Sequence, residues 1–152
     1  MATQPLPCRV EQICMQKFSW DESLSTGVPM IDTHHKELIA AVNDLAEAIE
    51  QGKGATYIKK LLIFLKYYAE WHFGHEEQCA AKHKCAIAET NQNAHTQFIQ
   101  TFGNLHDEYR QSDANEAIAQ RIYDELSDWL VKHILQIDTQ IGVCIRHAKA
   151  NG

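Results

Sequence analysis

Nine histidines in a chain of 152 residues are the first chemical signal, because imidazole is the commonest metal-ligating side chain and titrates near neutral pH. Two pairings with carboxylates carry most of the information. His72 and Glu76 form an H-x3-E pair. Residues four apart on a helix lie one above the other, so both side chains can address one centre. His133 and Asp138 form an H-x4-D pair, and five residues turn an ideal helix by about 140°. Asp138 therefore flanks its apolar stripe and, taken alone, reads as a surface acid unless the helix widens locally into a π-type turn. His35 and His95 add two more imidazoles at apolar-stripe positions. One buried histidine is commonly a satisfied core residue. Four of them, one per helical segment and with a carboxylate one turn after His72, are most economically explained by a metal that neutralises them.

The elements that must position these residues are legible from the breakers. All three prolines (Pro5, Pro7, Pro29) fall within the first 29 residues, so nothing later forbids long helices. Breaks fall at Gln51-Gly-Lys-Gly54, around Glu89-Thr-Asn91, and at Gln111-Ser-Asp-Ala-Asn115. They divide the chain into an irregular arm, 1–30, and four segments over 32–51, 55–83, 91–111 and 114–147. Each segment has helical periodicity. The first aligns His35, Leu38, Ile39, Val42, Leu45, Ala46 and Ile49. The second aligns Ile58, Leu61, Leu65, His72, Phe73, Glu76, Cys79 and Ala80. The third aligns Asn91, His95, Phe98, Ile99, Phe102, Leu105 and Tyr109. The fourth aligns Ile122, Leu126, Trp129, Leu130, His133, Ile137, Ile141 and Cys144. Four amphipathic helices with short connections predict an all-α fold: an up-down-up-down antiparallel four-helix bundle over 31–148, with the arm packed on or near it.

Composition narrows the function classes. The formal net charge of −6 lacks the basic footprint of a nucleic-acid binder. No apolar run reaches the ~18 residues that span a bilayer. The first residues carry no signal-peptide pattern, which makes a cytoplasmic location the expectation. A monomer is compatible with the pattern, and the oligomeric state is left open. Five cysteines include the C-x5-C spacings Cys8/Cys14 and Cys79/Cys85, which match neither a zinc knuckle nor a thioredoxin-like pair. Reduced, packed or idle thiols are expected, with Cys79 facing inward. His34 reads as a partly exposed residue, and His75, His106 and His147 as surface histidines. Gly74, Gly103 and Gly142 lie inside helices, where each costs up to about 1 kcal/mol relative to Ala.

The ordered motifs resemble the hemerythrin family, in particular its single-domain bacterial members, from about Phe18 to Ile145. Phe18-Ser-Trp20 followed by Gly27-Val-Pro-Met-Ile-Asp32-Thr-His-His35-Lys-Glu-Leu38 is similar to the family's opening. His72-Phe-Gly-His-Glu76-Glu77 is similar to its H-F-x-x-E-E signature. His95-Thr-Gln-Phe98 and Trp129-Leu130-x-x-His133-Ile-x-x-x-Asp138 resemble its third and fourth ligand motifs. The resemblance implies two non-haem iron ions (Fe2+/Fe3+), joined by an oxo or hydroxo bridge, inside the bundle. Carried over by position, His35 and His72 bind one iron and His95 and His133 the other, with Glu76 and Asp138 bridging. Phe98, Trp129 and Leu130 then line the O2 pocket, a role compatible with ordinary core packing.

One position departs from the pattern. The family's third helix carries H-x3-H, and the residue four before His95 is Asn91, whose amide is a weaker donor for iron than imidazole. Water is expected in the vacated position, with Asn91 itself the next choice; His83, Cys85 and Gln92 lack the right helical offset. The implied function is O2 binding for storage, delivery or sensing. The alternative is a di-iron redox enzyme handling O2, peroxide or NO, in which case a faster-oxidising centre is expected. A ferritin-like ferroxidase fits less well, because that class uses E-x2-H pairs on two helices. A bundle that has lost its metal is the remaining reading.

Overall fold

The computed structural model describes residues 14–151 except Ser112 and Ala114. The thirteen N-terminal residues, including Cys8 and much of the expected arm, lie outside the described residues. Four long helices pack together, and no strand occurs among the described residues. Helix α1 is Pro29–Glu50. Helix α2 runs Gly54–Tyr68, widens into a π turn at Ala69–Phe73 and continues through Gly74–Lys82. Helix α3 is Ala88–Gln111. Helix α4 runs Glu116–His133, widens at Ile134–Asp138 and continues through Thr139–Ala150. Their short connections give the antiparallel four-helix bundle expected from the periodicity.

Local chemistry explains where the helices begin and end. Pro29 opens α1, where its missing N–H costs nothing and its fixed φ suits the first turn. The Asn115 side chain caps α4 by accepting from the Ile118 N–H at 3.0 Å. Glu116 reaches across to α2, accepting from the N–H groups of Gly54 and Ala55 at 3.1 and 2.9 Å. One carboxylate thus satisfies orphan donors at a neighbouring helix start. Gly52, with φ +70°, supplies the left-handed residue after α1. The break expected around Glu89-Thr-Asn91 lies earlier, at residues 83–87, where Lys84 takes φ 51°. Glu89 and Thr90 are exposed residues of the first turns of α3, so polarity there marks a solvated face rather than a loop.

Most of the core is a large cluster that includes Leu38, Val42, Leu45, Ile58, Leu61, Leu65, Phe98, Phe102, Ile122 and Leu126. A smaller one gathers Ala80, Cys85, Ile141 and Ile145, with Cys79, Ile87 and Cys144 against it. Along α2, α3 and α4 the polar residues singled out by sequence fall between these two clusters. Ile99 leaves its predicted stripe and is exposed, because α3 turns it away while Phe98 and Phe102 remain inward.

The segment before α1 is tied down by side-chain-to-backbone bonds. Asn43 accepts from the Phe18 N–H at 2.8 Å and donates to the Phe18 carbonyl at 2.7 Å. Asp32 accepts from the Thr26 N–H and hydroxyl, both at 2.7 Å, and from the Ser25 hydroxyl at 2.6 Å. These bonds hold the Asp32 carboxyl below its ordinary value against an opposing effect of burial. Thr26 is fully buried and its carbonyl accepts from the Arg146 guanidinium of α4. Gly142 lets the segment in: a Cβ there would lie 2.0 Å from the Thr26 carbonyl oxygen.

The cysteines depart from expectation. Cys85 and Cys144 form a disulfide across 59 residues, while Cys14 and Cys79 are free. The bond closes the smaller cluster by joining the 83–87 turn to α4. Pairing at that distance depends on how the bundle closes, so C-x5-C spacing carried no sign of it.

Two outcomes test this account. Gly142→Ala should lose about 1–3 kcal/mol through overpacking, whereas Gly103→Ala, with nothing within 4 Å of the new Cβ, should gain up to about 1 kcal/mol from helix propensity. Chemical denaturation of both variants checks the sign. Reducing Cys85–Cys144 should remove about 4 kcal/mol of loop-closure stabilisation and lower the unfolding midpoint by roughly 10 °C. An unchanged midpoint in circular dichroism melts would show that the crosslink does not constrain the unfolded chain.

Candidate metal centre

The two π turns fall where the ligand motifs sit. The turn at Ile134–Asp138 adds a residue to the span between His133 and Asp138 and brings the H-x4-D pair onto one face. Asp138 is consequently 1% exposed. The turn at Ala69–Phe73 re-phases α2 so that His72 and Phe73 are both buried, with Glu76 one turn later.

Six side chains converge: His35 from α1, His72 and Glu76 from α2, His95 from α3, and His133 and Asp138 from α4. All are at most 2% exposed. Glu76 Oε2 lies 3.1 Å from His72 Nε2 and 3.8 Å from His35 Nε2. Its Oε1 lies 3.0 Å from His95 Nε2 and 3.7 Å from His133 Nε2. Asp138 mirrors this, with Oδ2 at 2.9 Å from His35 Nε2 and Oδ1 at 2.9 Å from His133 Nε2. Each carboxylate therefore gives one oxygen to each pair of imidazoles. Two groups could each hold a metal ion: His35, His72, Glu76 and Asp138, and Glu76, His95, His133 and Asp138. Within each group the donor atoms lie within 4.8 Å of one another.

The fit to metal is chemical as well as spatial. None of the four carboxylate oxygens, nor either nitrogen of His35, makes a hydrogen bond of acceptable geometry, although the ions are close. The nitrogens of His95 and His133 face each other at 3.1 Å, so a proton or a cation must lie between their lone pairs. Burying such groups unpaired costs several kcal/mol per charge. Divalent cations would satisfy all of them at once, and mixed imidazole and carboxylate donors suit first-row transition metals.

Outer contacts fix the rings. His95 Nδ1 pairs with Glu77 Oε1 at 2.9 Å, which turns Nε2 inward. His72 Nδ1 meets His34 Nδ1 at 2.8 Å. His34 is buried at 6% exposure, not the partly exposed residue expected, because it closes against Trp71 and His72. Aromatic plates stack on three imidazoles: Phe73 on His95 at 3.8 Å, Trp129 on His133 at 4.2 Å and Tyr68 on His72 at 4.6 Å. Burial, reinforced by the charges of Glu76 and Asp138, pushes the Tyr68 phenol well above its usual value, so it stays protonated. Sequence reasoning assigned no role to Tyr68; its position one turn before His72 was the available signal.

Phe98 and Trp129 line a cavity of about 350 Å³ that reaches His133. Leu130 does not line it. Buried at 4%, it borders a separate hollow with Phe18, Leu24 and Ile134. Asn91 is fully buried on α3, one turn before His95, and neither polar atom of its amide has a hydrogen-bond partner. Cys85 is committed to the disulfide, and His83 Nδ1 bonds to the Cys79 carbonyl, so neither takes the place of a ligand.

In the metal-free protein protons perform the neutralisation. Burial opposes charge on His35 and His133, but Asp138 and Glu76 outweigh it and push each imidazole up to about 9. A folded value raised above the ordinary 6.5 stabilises fully below that value and is lost as pH rises through about 9. Metal-free protein should therefore melt at progressively lower temperature between these limits, whereas metal-loaded protein should not. Loading near pH 7.5 should release protons; calorimetry in buffers of different ionisation enthalpy measures them.

Comparison with known proteins agrees with this geometry. The family described as the hemerythrin HHE cation binding domain matches residues 26–142. The bacteriohemerythrin of Pseudomonas aeruginosa (strain LESB58) is 29% identical over 135 residues, covering 88% of this chain and 85% of that protein. That of Clostridium acetobutylicum is 27% identical over 129 residues, covering 81% of this chain and 97% of its own. That of Stenotrophomonas maltophilia is 27% identical over 116 residues, covering 76% and 72%. With the family match spanning most of the chain and the buried imidazole–carboxylate cluster inside it, this protein belongs to the hemerythrin family.

Proposed function

We propose that the chain is a non-haem di-iron protein that binds O2 for storage, delivery or sensing. His35 and His72 hold one iron, His95 and His133 the other, and Glu76 and Asp138 bridge them. The observation that carries this reading is the division of each carboxylate between the two imidazole pairs, at 2.9 to 3.8 Å. When bound, the iron pair supplies redox-active centres for a small diatomic ligand.

The surrounding residues supply the rest. Phe73, Phe98 and Trp129 give the His95 and His133 side of the centre an aromatic, apolar lining. The Glu77 carboxylate accepts from Nδ1 of His95 and so leaves its Nε2 for metal, while His34 orients the His72 ring through its Nδ1. The Tyr68 phenol, buried and unpartnered, is an O–H donor held beside the His72 ring. Among the described residues no helix is long and apolar enough to cross a membrane, and the partner envisaged is a small molecule rather than nucleic acid. A cytoplasmic location belongs to this reading; there the Cys85–Cys144 pair would face a reducing milieu.

A redox enzyme acting on O2, peroxide or NO is the second reading. The unpartnered amide of Asn91 beside His95 favours it, because a metal held there with one imidazole fewer would have a position open to an oxidant. Optical spectra of iron-loaded, reduced protein before O2, after O2 and after return to anaerobic conditions separate the two. A coloured adduct that reverses is the expected result. Irreversible ferric conversion would support the enzyme, and no iron-dependent change would eliminate both.

A further inference from the structure

The two halves of the centre have equal sets of close donors: two imidazole nitrogens and two carboxylate oxygens each. They differ in what lies one helical turn before a ligand. Four residues before His72 stands Tyr68, whose ring stacks on that imidazole. Four residues before His95 stands Asn91, fully buried, with both amide atoms unpartnered. Residues four apart share a helix face, so Asn91 lies on the face of α3 that carries His95. A buried amide without partners forfeits the hydrogen bonds it makes in water. Nothing among the described side chains relieves it, and Asn91 is not needed to hold the helix, since its backbone N–H already bonds to the Ile87 carbonyl at 2.9 Å.

Side-chain length decides between two ways of satisfying it. An asparagine amide ends closer to its own backbone than the Nε2 of an imidazole does. His95, pinned between Phe73 and Glu77 at 3.8 and 2.9 Å, fixes where the metal on that side must sit. From one turn away, the shorter Asn91 side chain ends farther from that position than an imidazole of the same residue would, a difference that a small bridging molecule would make up. A cavity of about 350 Å³ lined by Ala94, Phe98, Trp129 and Ile137 reaches His133, the other imidazole on that side.

We propose that the metal held by His95 and His133 carries an exchangeable position for a small lone-pair donor, gripped by the side-chain amide of Asn91. Water or hydroxide occupies it at rest, and small anions replace it. The amide N–H donates to an anion, and its oxygen accepts from a protonated ligand. This inference rests on the two-iron reading and adds a second ligand-binding position to the centre, on the side opposite His35 and His72.

The test uses the intact chain, loaded with iron, fully oxidised and titrated with azide. Iron content is assayed colorimetrically, and azide is counted by optical titration and calorimetry. Wild-type protein should bind two irons and two separately saturating azides. Asn91→His should keep two irons and bind one azide, because the longer imidazole fills the position. Asn91→Ala should keep both azides, with one weakened about tenfold by loss of a hydrogen bond worth ~1.4 kcal/mol; it also serves should Asn91→His fail to fold. One azide per two irons in wild type would overturn the proposal while leaving the two-iron reading intact. Two azides in Asn91→His, or equal azide affinities in wild type and Asn91→Ala, would overturn the role of Asn91. Fewer than two irons in wild type would overturn the two-iron reading and this inference with it.

Discussion

Everything in this structure depends on keeping two ionised carboxylates in the middle of an apolar bundle. Glu76 and Asp138 are 0% and 1% exposed, and an isolated carboxylate at such a place would either gain a proton or unfold its surroundings. Four imidazoles, one from each helix, meet them. Burial opposes charge on the Glu76 carboxyl, but the nearby imidazoles of His133, His35, His72 and His95 outweigh it and hold the group well below its usual range. The cluster therefore has two ways of being neutral: protons shared among the imidazoles, or cations that replace them.

Regular α-helices alone would not assemble this cluster. A run of 3.6-residue turns from His133 would carry Asp138 off the inner face; one wider turn at Ile134–Asp138 returns it. A matching widened turn at Ala69–Phe73 stands just ahead of Glu76. Such turns exchange regular hydrogen bonding for a change of phase, and here both coincide with residues of the buried imidazole–carboxylate cluster. Apolar clusters on either side clamp the helices so that the phase change is held rather than relaxed. The disulfide and the Thr26–Gly142 contact reinforce the end of the bundle beyond the ligands.

The residues legible in the sequence were those governed by periodicity. His35, His72, Glu76 and His95 recur in phase with Leu and Phe positions, so their inward direction followed from the helix period alone. Asp138 was recognisable only in the company of the other motifs, because its spacing is wrong for a regular helix. His34 was misjudged for a related reason. It lies beside His35 on the helix, and whether it was solvated depended on Trp71 and His72 arriving from α2. Leu130 is buried in the main core, as its place on the inward stripe of α4 implies, and it also borders a hollow walled by the segment before α1, whose path has no periodic signal.

Legible along the chain were the helix count, the stripes that turn inward and the imidazole and carboxylate character of the buried cluster. Each is a property of residue type and spacing along one chain, which the helix period converts directly into direction. Only the tertiary structure decided which oxygen of each carboxylate faces which imidazole pair, which rings lie on which aromatic plates, and that Cys85 meets Cys144. It also decided that the Asn91 amide is sealed inside without a partner. These depend on distances between helices, set by how two apolar clusters close around a polar layer, and such distances are not encoded in the repeat of any single helix.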